Sequence, residues 1–260
     1  MPELPEVETF RRYLESTSLH QPIQGVEVRN SLILDGLVAP DLEQALLCRE
    51  FGKTMRHGKI LFASLHECSW LVLHFGMTGC LKYFSSRDEV PHHSRLIISF
   101  SSGFRLAFVD MRMFGRAGLT EDPQRYIGDK GLGPDALQVD KETFRSRVLG
   151  RRGMIKTLLL NQRLIAGLGN LYADEALFQA KIHPAALACS LSRERIDNLF
   201  SAIGMVLKMA VSTDADFARL PDDYLLSSRH PRGRCPLDRS PLEIIKIGGR
   251  TTYYCPAHQK

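Results

Sequence analysis

No apolar run in the 260-residue chain approaches the length of a membrane span, and the N-terminus lacks the basic-then-apolar pattern of a secretory signal. Both absences lead us to expect a soluble cytoplasmic protein. There is no internal repeat and no low-complexity tract. Cysteine is sparse: the six stand at 48, 68, 80, 189, 235 and 255, and only the last two have metal-like surroundings. A disulfide framework is therefore not expected, and a reducing compartment fits. Nor is the charge strongly of one sign. Net charge is +5, a mild basic bias compatible with nucleic acid without requiring it.

What is present is enough chain for two domains and a sizeable core. Residues 1–15 predict a helix. Pro5 and Glu6 suit a first turn, where a missing N–H costs little and an acid meets the dipole. Val7, Phe10 and Leu14 then repeat on one face. Propensity gives no reason for Pro2 and Glu3 at the very tip. Residues 24–118 read as β: VEVRN, KILFASL, WLVLHFGM, RLIISFS and RLAFVD are short strand-like runs without helical spacers, which predicts a sandwich or barrel. GDKGLGPDAL marks a boundary near 128–137.

Over 141–211 the period changes to helical. Ile196, Leu199, Phe200, Ile203 and Leu207 form one stripe, and KETFRSRVL and ADEALFQA predict shorter helices. Residues 229–260 read as a small hairpin.

Three motifs carry possible chemistry. Cys235 and Asp238 stand as C-x-x-D, Cys255 and His258 as C-x-x-H, with sixteen residues between the pairs. Two ligand pairs on two tight turns is the layout of a structural zinc site; the alternative is a zinc-free hairpin with local hydrogen bonds. Arg250, beside Gly248-Gly249, is placed to reach a phosphate or to be a solvated turn residue. The second motif, AGLGNLY at 166–172, opens a helix and leaves N–H groups for an anion; Asn170 either caps the helix or joins that anion site, and Lys156 adds a charge. In the β region, Met77, Arg112 and Phe114 lie on loops after strands. An apolar wedge beside an Arg is what extruding a base from a duplex requires, although taken singly Met77 and Phe114 read as core residues and Arg112 as a surface charge.

Together, PELPEVE, HGK, HFGMTG, DMRMFG, AGLGNLYADEALF and the terminal two-pair finger resemble the formamidopyrimidine-DNA glycosylase / endonuclease VIII family, closest to the glycosylase branch, from residue 2 to about 258. The resemblance implies an α+β multidomain fold. An N-terminal β-sandwich with an N-terminal helix fills 1–128, a helix-two-turn-helix domain 129–222 and a zinc-finger-like hairpin 223–260. It also implies a bifunctional DNA glycosylase and abasic-site lyase of base excision repair, acting on oxidised bases in duplex DNA as a monomer in the bacterial cytosol or nucleoid. In such a protein Met1 is removed and the Pro2 amine forms a Schiff base that leads to β,δ-elimination. An α-amino group has a reference pKa near 8, far below that of Lys, so more of it is unprotonated near neutrality.

Glu3 matches the catalytic acid and Lys59 the assisting lysine. Glu6 matches a position near the flipped nucleotide, with a plain helix acid as the equal alternative. Asn170 and Arg250 match phosphate clamps. His74, His93, Arg112 and Lys156 match further DNA-contacting positions, and Met77, Arg112 and Phe114 match the residues that fill the void. One structural Zn2+ on Cys235, Asp238, Cys255 and His258 is implied, with no organic cofactor.

Three departures stand out. Asp238 and His258 replace two of the usual four cysteines, residues 211–234 differ from the loop that caps an oxidised purine, and Asn161 stands where an Asp is usual. The first opens the question of zinc. The second leaves the choice of lesion open. A non-catalytic lesion- or abasic-site DNA-binding protein of the same fold would keep the clamps and the wedge but not the amine. A zinc-ribbon RNA-binding or ribosome-associated protein would leave the N-terminal half unexplained.

Overall fold

In a computed structural model, described at all residues except 66–68, the β-rich half is two four-stranded antiparallel sheets. One sheet runs β2 (Phe51–His57), β3 (Ile60–Leu65), β4 (Ser69–His74) and β8 (Arg116–Thr120). The other has the order β1 (Ile23–Val28), β6 (Ser94–Phe100), β7 (Phe104–Val109) and β5 (Cys80–Ser85). Alternation decides which face is buried. Leu61, Ala63 and Leu65 from β3 and Leu71 and Leu73 from β4 share a core with Leu96, Ile98 and Phe100 from β6 and Leu106 and Phe108 from β7. Each large apolar side chain buried this way is worth roughly 1.5–3 kcal/mol.

Helix α1 (Leu4–Ser18) adds Val7 and Leu14 to this core, and Arg56 fixes it to β2 through a 3.0 Å ion pair with Glu8. Burial raises the Glu8 pKa, but Arg11 and Arg56 outweigh it and the net shift is downward.

The expectation of β structure without helical spacers is corrected by α2 (Ala39–Leu46). Pro40 sits in its first turn and Leu42 and Leu46 are buried one turn apart, a pattern too short to stand out among strands. Strands β2, β5 and β8 and the short helix α3 (Pro123–Asp129) were likewise not foreseen.

Residues 131–260, with Glu3–Pro5, form a second compact unit; Met1–Pro2 and residues 6–130 form the first. The second unit holds α4 (Lys141–Val148), α5 (Ile155–Leu160), α6 (Asn170–Gln179) and α7 (Arg193–Ser212), followed by a hairpin of β9 (Glu243–Ile247) and β10 (Arg250–Tyr254). The Ser192 side chain caps α7 by accepting from the Arg195 N–H. Ile196, Leu199, Ile203 and Leu207 of the expected stripe are buried, while Phe200 is half-buried and packs on Phe144 at 5.5 Å between ring centroids.

The architecture is therefore α+β, with a β-sandwich, a helix-two-turn-helix region and a terminal hairpin. Among the described residues no helix is long and apolar enough to cross a membrane. Cys48, Cys80, Cys189, Cys235 and Cys255 are free thiols, and Cys68 lies outside the described residues.

Candidate active site

In the second unit, Glu3 stands at the start of α6. Its side chain is 1% exposed. Glu3 Oε2 accepts the N–H of Gly169 at 2.8 Å and of Tyr172 at 3.3 Å, and Oε1 accepts that of Leu171 at 2.9 Å. These are the orphan donors of the first helical turn, aligned with the positive end of the dipole. The anion that the Gly-rich AGLGN segment was expected to hold is thus the protein's own carboxylate.

Both glycines are needed. Gly167 has φ +116, its carbonyl accepts the Leu4 N–H at 3.1 Å, and a Cβ there would meet Leu4 Cδ1 at 2.5 Å. A Cβ on Gly169 would meet the Glu3 carboxyl carbon at 2.3 Å. The residue in the N-cap position is Gly169, so Asn170 is not the cap. Asn170 instead donates from Nδ2 to the Thr251 carbonyl at 3.0 Å, while its Oδ1 is buried without a hydrogen-bond partner.

Lys156 does not face solvent, contrary to the expectation of a DNA-contacting charge. Its ammonium is 0% exposed, 2.5 Å from Asp174 Oδ1, and donates to Thr252 Oγ1 at 2.6 Å. Burial pulls its pKa down, and the Asp174 charge opposes that pull. Asp174 Oδ2 also accepts from Arg229 Nε at 2.9 Å and from the Tyr253 N–H at 3.3 Å. Arg229 Nη2 donates to the Thr251 carbonyl at 2.8 Å. The network pins α5 and α6 to β10 and leaves the neighbouring Arg250 exposed. Gly248 and Gly249, at φ +55 and +72, form the two-residue turn before it.

The terminal quartet converges. Single donor atoms of Cys235, Asp238, Cys255 and His258 all lie within 4.8 Å of one another. Each pair sits on a turn closed by an i+4 backbone bond, Arg239 N–H to the Cys235 carbonyl and Gln259 N–H to the Cys255 carbonyl. The Ser240 side chain and N–H donate to Asp238 Oδ1 and hold its pKa down at about 2. His258 Nε2 is buried, has no hydrogen-bond donor or acceptor of good geometry, and lies 3.2 Å from Asp238 Oδ2. Thiolate, imidazole and carboxylate are all zinc-ligand types, so the converging donor set could hold a metal ion.

Residues 211–234 are anchored to the rest of the second unit. Leu220, Tyr224 and Leu226 join the helical core, and Leu225 packs with Phe178, Cys235 and Cys255. The Leu226 N–H donates to the fully buried Glu175 at 2.8 Å; burial pushes that carboxyl up to about 7.

In the first unit, one end of the β2–β3–β4–β8 sheet carries Lys59 and His74. Gly58, at φ +54, opens the two-residue turn that presents Lys59. Ile60 pairs with His74, and His74 with Arg116. Burial lowers the His74 pKa, and the charges of Lys59, Arg116 and Lys130 lower it further against Asp35. The Gly76 N–H donates to His74 Nδ1 at 3.3 Å. Arg116, which the sequence reading missed, donates to the carbonyls of Met113 and Gly115. Only its strand partnership with His74 singles it out, and that needs the register.

Phe114 is 49% exposed, Arg112 lies over its ring at 5.1 Å, and Met77 is half-buried. Phe114 is therefore not a core residue. His93 is exposed at φ +63, and its carbonyl accepts the Asp110 N–H. Pro2, half-buried, belongs to this unit, while Glu3, next in the chain, belongs to the other.

Known proteins carry the same organisation. The family model described as formamidopyrimidine-DNA glycosylase N-terminal domain matches residues 1–117, and that described as the formamidopyrimidine-DNA glycosylase H2TH domain matches 131–222. A formamidopyrimidine-DNA glycosylase of Pelotomaculum thermopropionicum is 36% identical, with 100% of this chain and 99% of that protein covered. One from Arabidopsis thaliana is 34% identical, with 100% of this chain and 71% of that protein covered. Among solved structures, MutM in complex with carbocyclic 8-oxo-G-containing DNA has a TM-score of 0.90 at 30% identity, over 100% of both chains. The Lactococcus lactis enzyme bound non-covalently to DNA containing an abasic site has a TM-score of 0.89 at 29% identity, over 99% of both. The chain belongs to the formamidopyrimidine-DNA glycosylase family.

Proposed function

We propose that the chain is a bifunctional DNA glycosylase and abasic-site lyase of base excision repair, acting on oxidised bases in duplex DNA. The observation that carries this reading is the buried Glu3 carboxylate, held by three backbone N–H groups and next in sequence to Pro2. The carboxylate closes the open donors at the start of α6, and the same fixing holds an acid in place next in sequence to a reactive amine.

Once Met1 is removed, the Pro2 nitrogen attacks C1′ of the damaged nucleotide. The N–C1′ bond forms, the glycosidic bond breaks, and its electron pair leaves with the base, which takes up a proton. Opening of the sugar leaves an iminium that withdraws electrons from C2′. Loss of a C2′ proton then expels the 3′ phosphate, and a second elimination expels the 5′ phosphate. Glu3 carries protons to and from the sugar, and Lys59 assists at the phosphate. Asn170 and Arg250 clamp the backbone, with His74 and His93 as further contacts; such contacts fix position and read no sequence. Met77, Arg112 and Phe114 enter the space the base leaves. The four terminal ligands would hold Zn2+, which when bound cross-links the two turns that carry the hairpin.

The test is borohydride trapping on a duplex with an abasic site, using protein shown by mass to begin at Pro2. A covalent adduct is expected. DNA binding without an adduct would replace this reading with the non-catalytic one. Glu3→Gln should impair excision of an oxidised base and spare DNA affinity; unchanged excision would show that another group is the acid.

A further inference from the structure

The three wedge side chains sit on two separate loops, residues 75–79 and 110–115, and a single buried carboxylate joins them. Asp110 follows β7 and is 0% exposed. Its Oδ1 accepts the Thr78 hydroxyl at 2.5 Å and the Arg112 N–H at 3.2 Å, and its Oδ2 accepts the Gly115 N–H at 2.7 Å. The Arg112 N–H also points at Thr78 Oγ1, 3.1 Å away. Asp110 is itself fixed by its backbone. Its N–H donates to the His93 carbonyl at 3.0 Å and its carbonyl accepts from Arg95 Nε at 2.8 Å.

The loops are also nested in contact. A Cβ on Gly76 would lie 2.4 Å from the Phe114 carbonyl carbon, and one on Gly115 would lie 3.0 Å from Asp110 Oδ2. Met77 precedes Thr78, and Arg112 and Phe114 lie within the turn that Asp110 closes. A shift at this carboxylate therefore moves all three side chains.

We propose that Asp110, acting through Thr78, is the positioning residue that sets Met77, Arg112 and Phe114 in one register for entry into the duplex. The assignment rests on the wedge reading above. Asp110 touches no reacting atom in it. Exposed side chains have little packing to hold them, so their aim comes from the backbone beneath. A buried carboxylate that accepts from both loops supplies that aim, and losing one acceptor leaves a buried N–H facing an N–H.

Asp110→Asn keeps the volume but offers an amide where one loop needs an acceptor. Thr78→Val cuts only the link between the loops and leaves the 110–115 turn closed. Two readouts separate positioning from folding. The first is the ratio of excision of an oxidised base from intact duplex to cleavage of a preformed abasic site. The second is fluorescence of 2-aminopurine placed opposite a tetrahydrofuran abasic analogue, which rises when a side chain unstacks it.

For both variants excision should fall by about 10- to 100-fold while abasic-site cleavage stays within about threefold, as expected when a reacting geometry is lost without its chemical groups. The 2-aminopurine rise should be lost in both, and adding Arg112→Ala should cost little more. Excision at the wild-type rate in Thr78→Val, or equal losses in both reactions with the fluorescence rise intact, would overturn the proposal. Thr78→Val supplies the answer if Asp110→Asn does not fold. Wild-type protein that forms no borohydride adduct would sink the catalytic reading; the fluorescence measurement, which needs no chemistry, would still decide the role of Asp110.

Discussion

Glu3 fills the space in which Gly169 would carry a side chain: a Cβ there would lie 2.3 Å from the Glu3 carboxyl carbon, and the Gly169 N–H donates to Glu3 Oε2 at 2.8 Å. A glycine-rich turn that reads as leaving N–H groups for an anion is shaped around an internal acid. Gly169→Ala should push the carboxylate off its donors and slow excision by about 10²–10⁴-fold, the usual worth of a positioned acid–base group. Single-turnover kinetics would measure it, with circular dichroism as the check on folding. An unchanged rate in folded protein would remove Glu3 from the mechanism.

Lys156 and Arg250 look alike in the sequence, two cations assigned to DNA contact, yet the structure separates them. Lys156→Ala leaves Asp174 buried with one cation fewer and should destabilise the second unit by about 3–5 kcal/mol, the cost of breaking a buried pair. Its effect on the slope of log K against log salt should be nil. Arg250→Ala should leave the unfolding midpoint where it is and reduce that slope by about 0.9, one phosphate contact fewer. Salt titrations of DNA affinity and denaturant unfolding, run on both variants, check the assignment; a reduced slope in Lys156→Ala would return that lysine to the interface.

How far the sequence reached follows from what each signal depends on. Helix α7 carries an amphipathic stripe long enough to dominate its window, so its period gave it away. A sandwich or barrel was legible in the apolar runs of β1, β3, β4, β6 and β7. Helix α2 has eight residues and two buried leucines, below what periodicity resolves among strands. The motif strings singled out Glu3, Lys59 and Arg250 as candidates, but local spacing says nothing of partners 166 residues away. That Glu3 sits on the α6 donors, and that Lys156 faces Asp174, are consequences of long-range packing. Asp110 was missed for the same reason: its meaning lies in Thr78 and Gly115, which only the register of two sheets brings to it.

The mixed ligand set of the terminal hairpin predicts a looser hold on metal. Two thiolates carry less charge to a cation than four, and carboxylate oxygen is the harder donor. Elemental analysis should find about one zinc per chain. A chelator should remove it faster than from a variant carrying Asp238→Cys with His258→Cys, and its loss should expose the 229–260 segment to protease. Protein that is zinc-free as purified, yet equally protease-resistant with and without added zinc, would show that the hydrogen bonds of Ser240 and Gln259 hold the turns unaided.

Glu175 gives a pH dependence whose sign is fixed by its burial. The carboxyl is raised from 4.5 to about 7 in the folded chain, chiefly by burial, with the Gln179 side chain and the Leu226 N–H opposing. Below pH 4.5 folded and unfolded chains both hold the proton. Between 4.5 and about 7 the unfolded chain has released it and the folded chain has not, so the stability this group contributes falls as pH rises. Above about 7 both are ionised and the full penalty, about 3 kcal/mol, remains. Glu175→Gln keeps an acceptor for the Leu226 N–H and cannot ionise. Its stability relative to wild type should therefore climb by about 3 kcal/mol between pH 4.5 and 8. Denaturant unfolding of the two proteins across that range reads the difference directly. A difference that stays flat would mean that water or a cation reaches Glu175, and that the 220–229 segment opens more readily than its buried leucines imply.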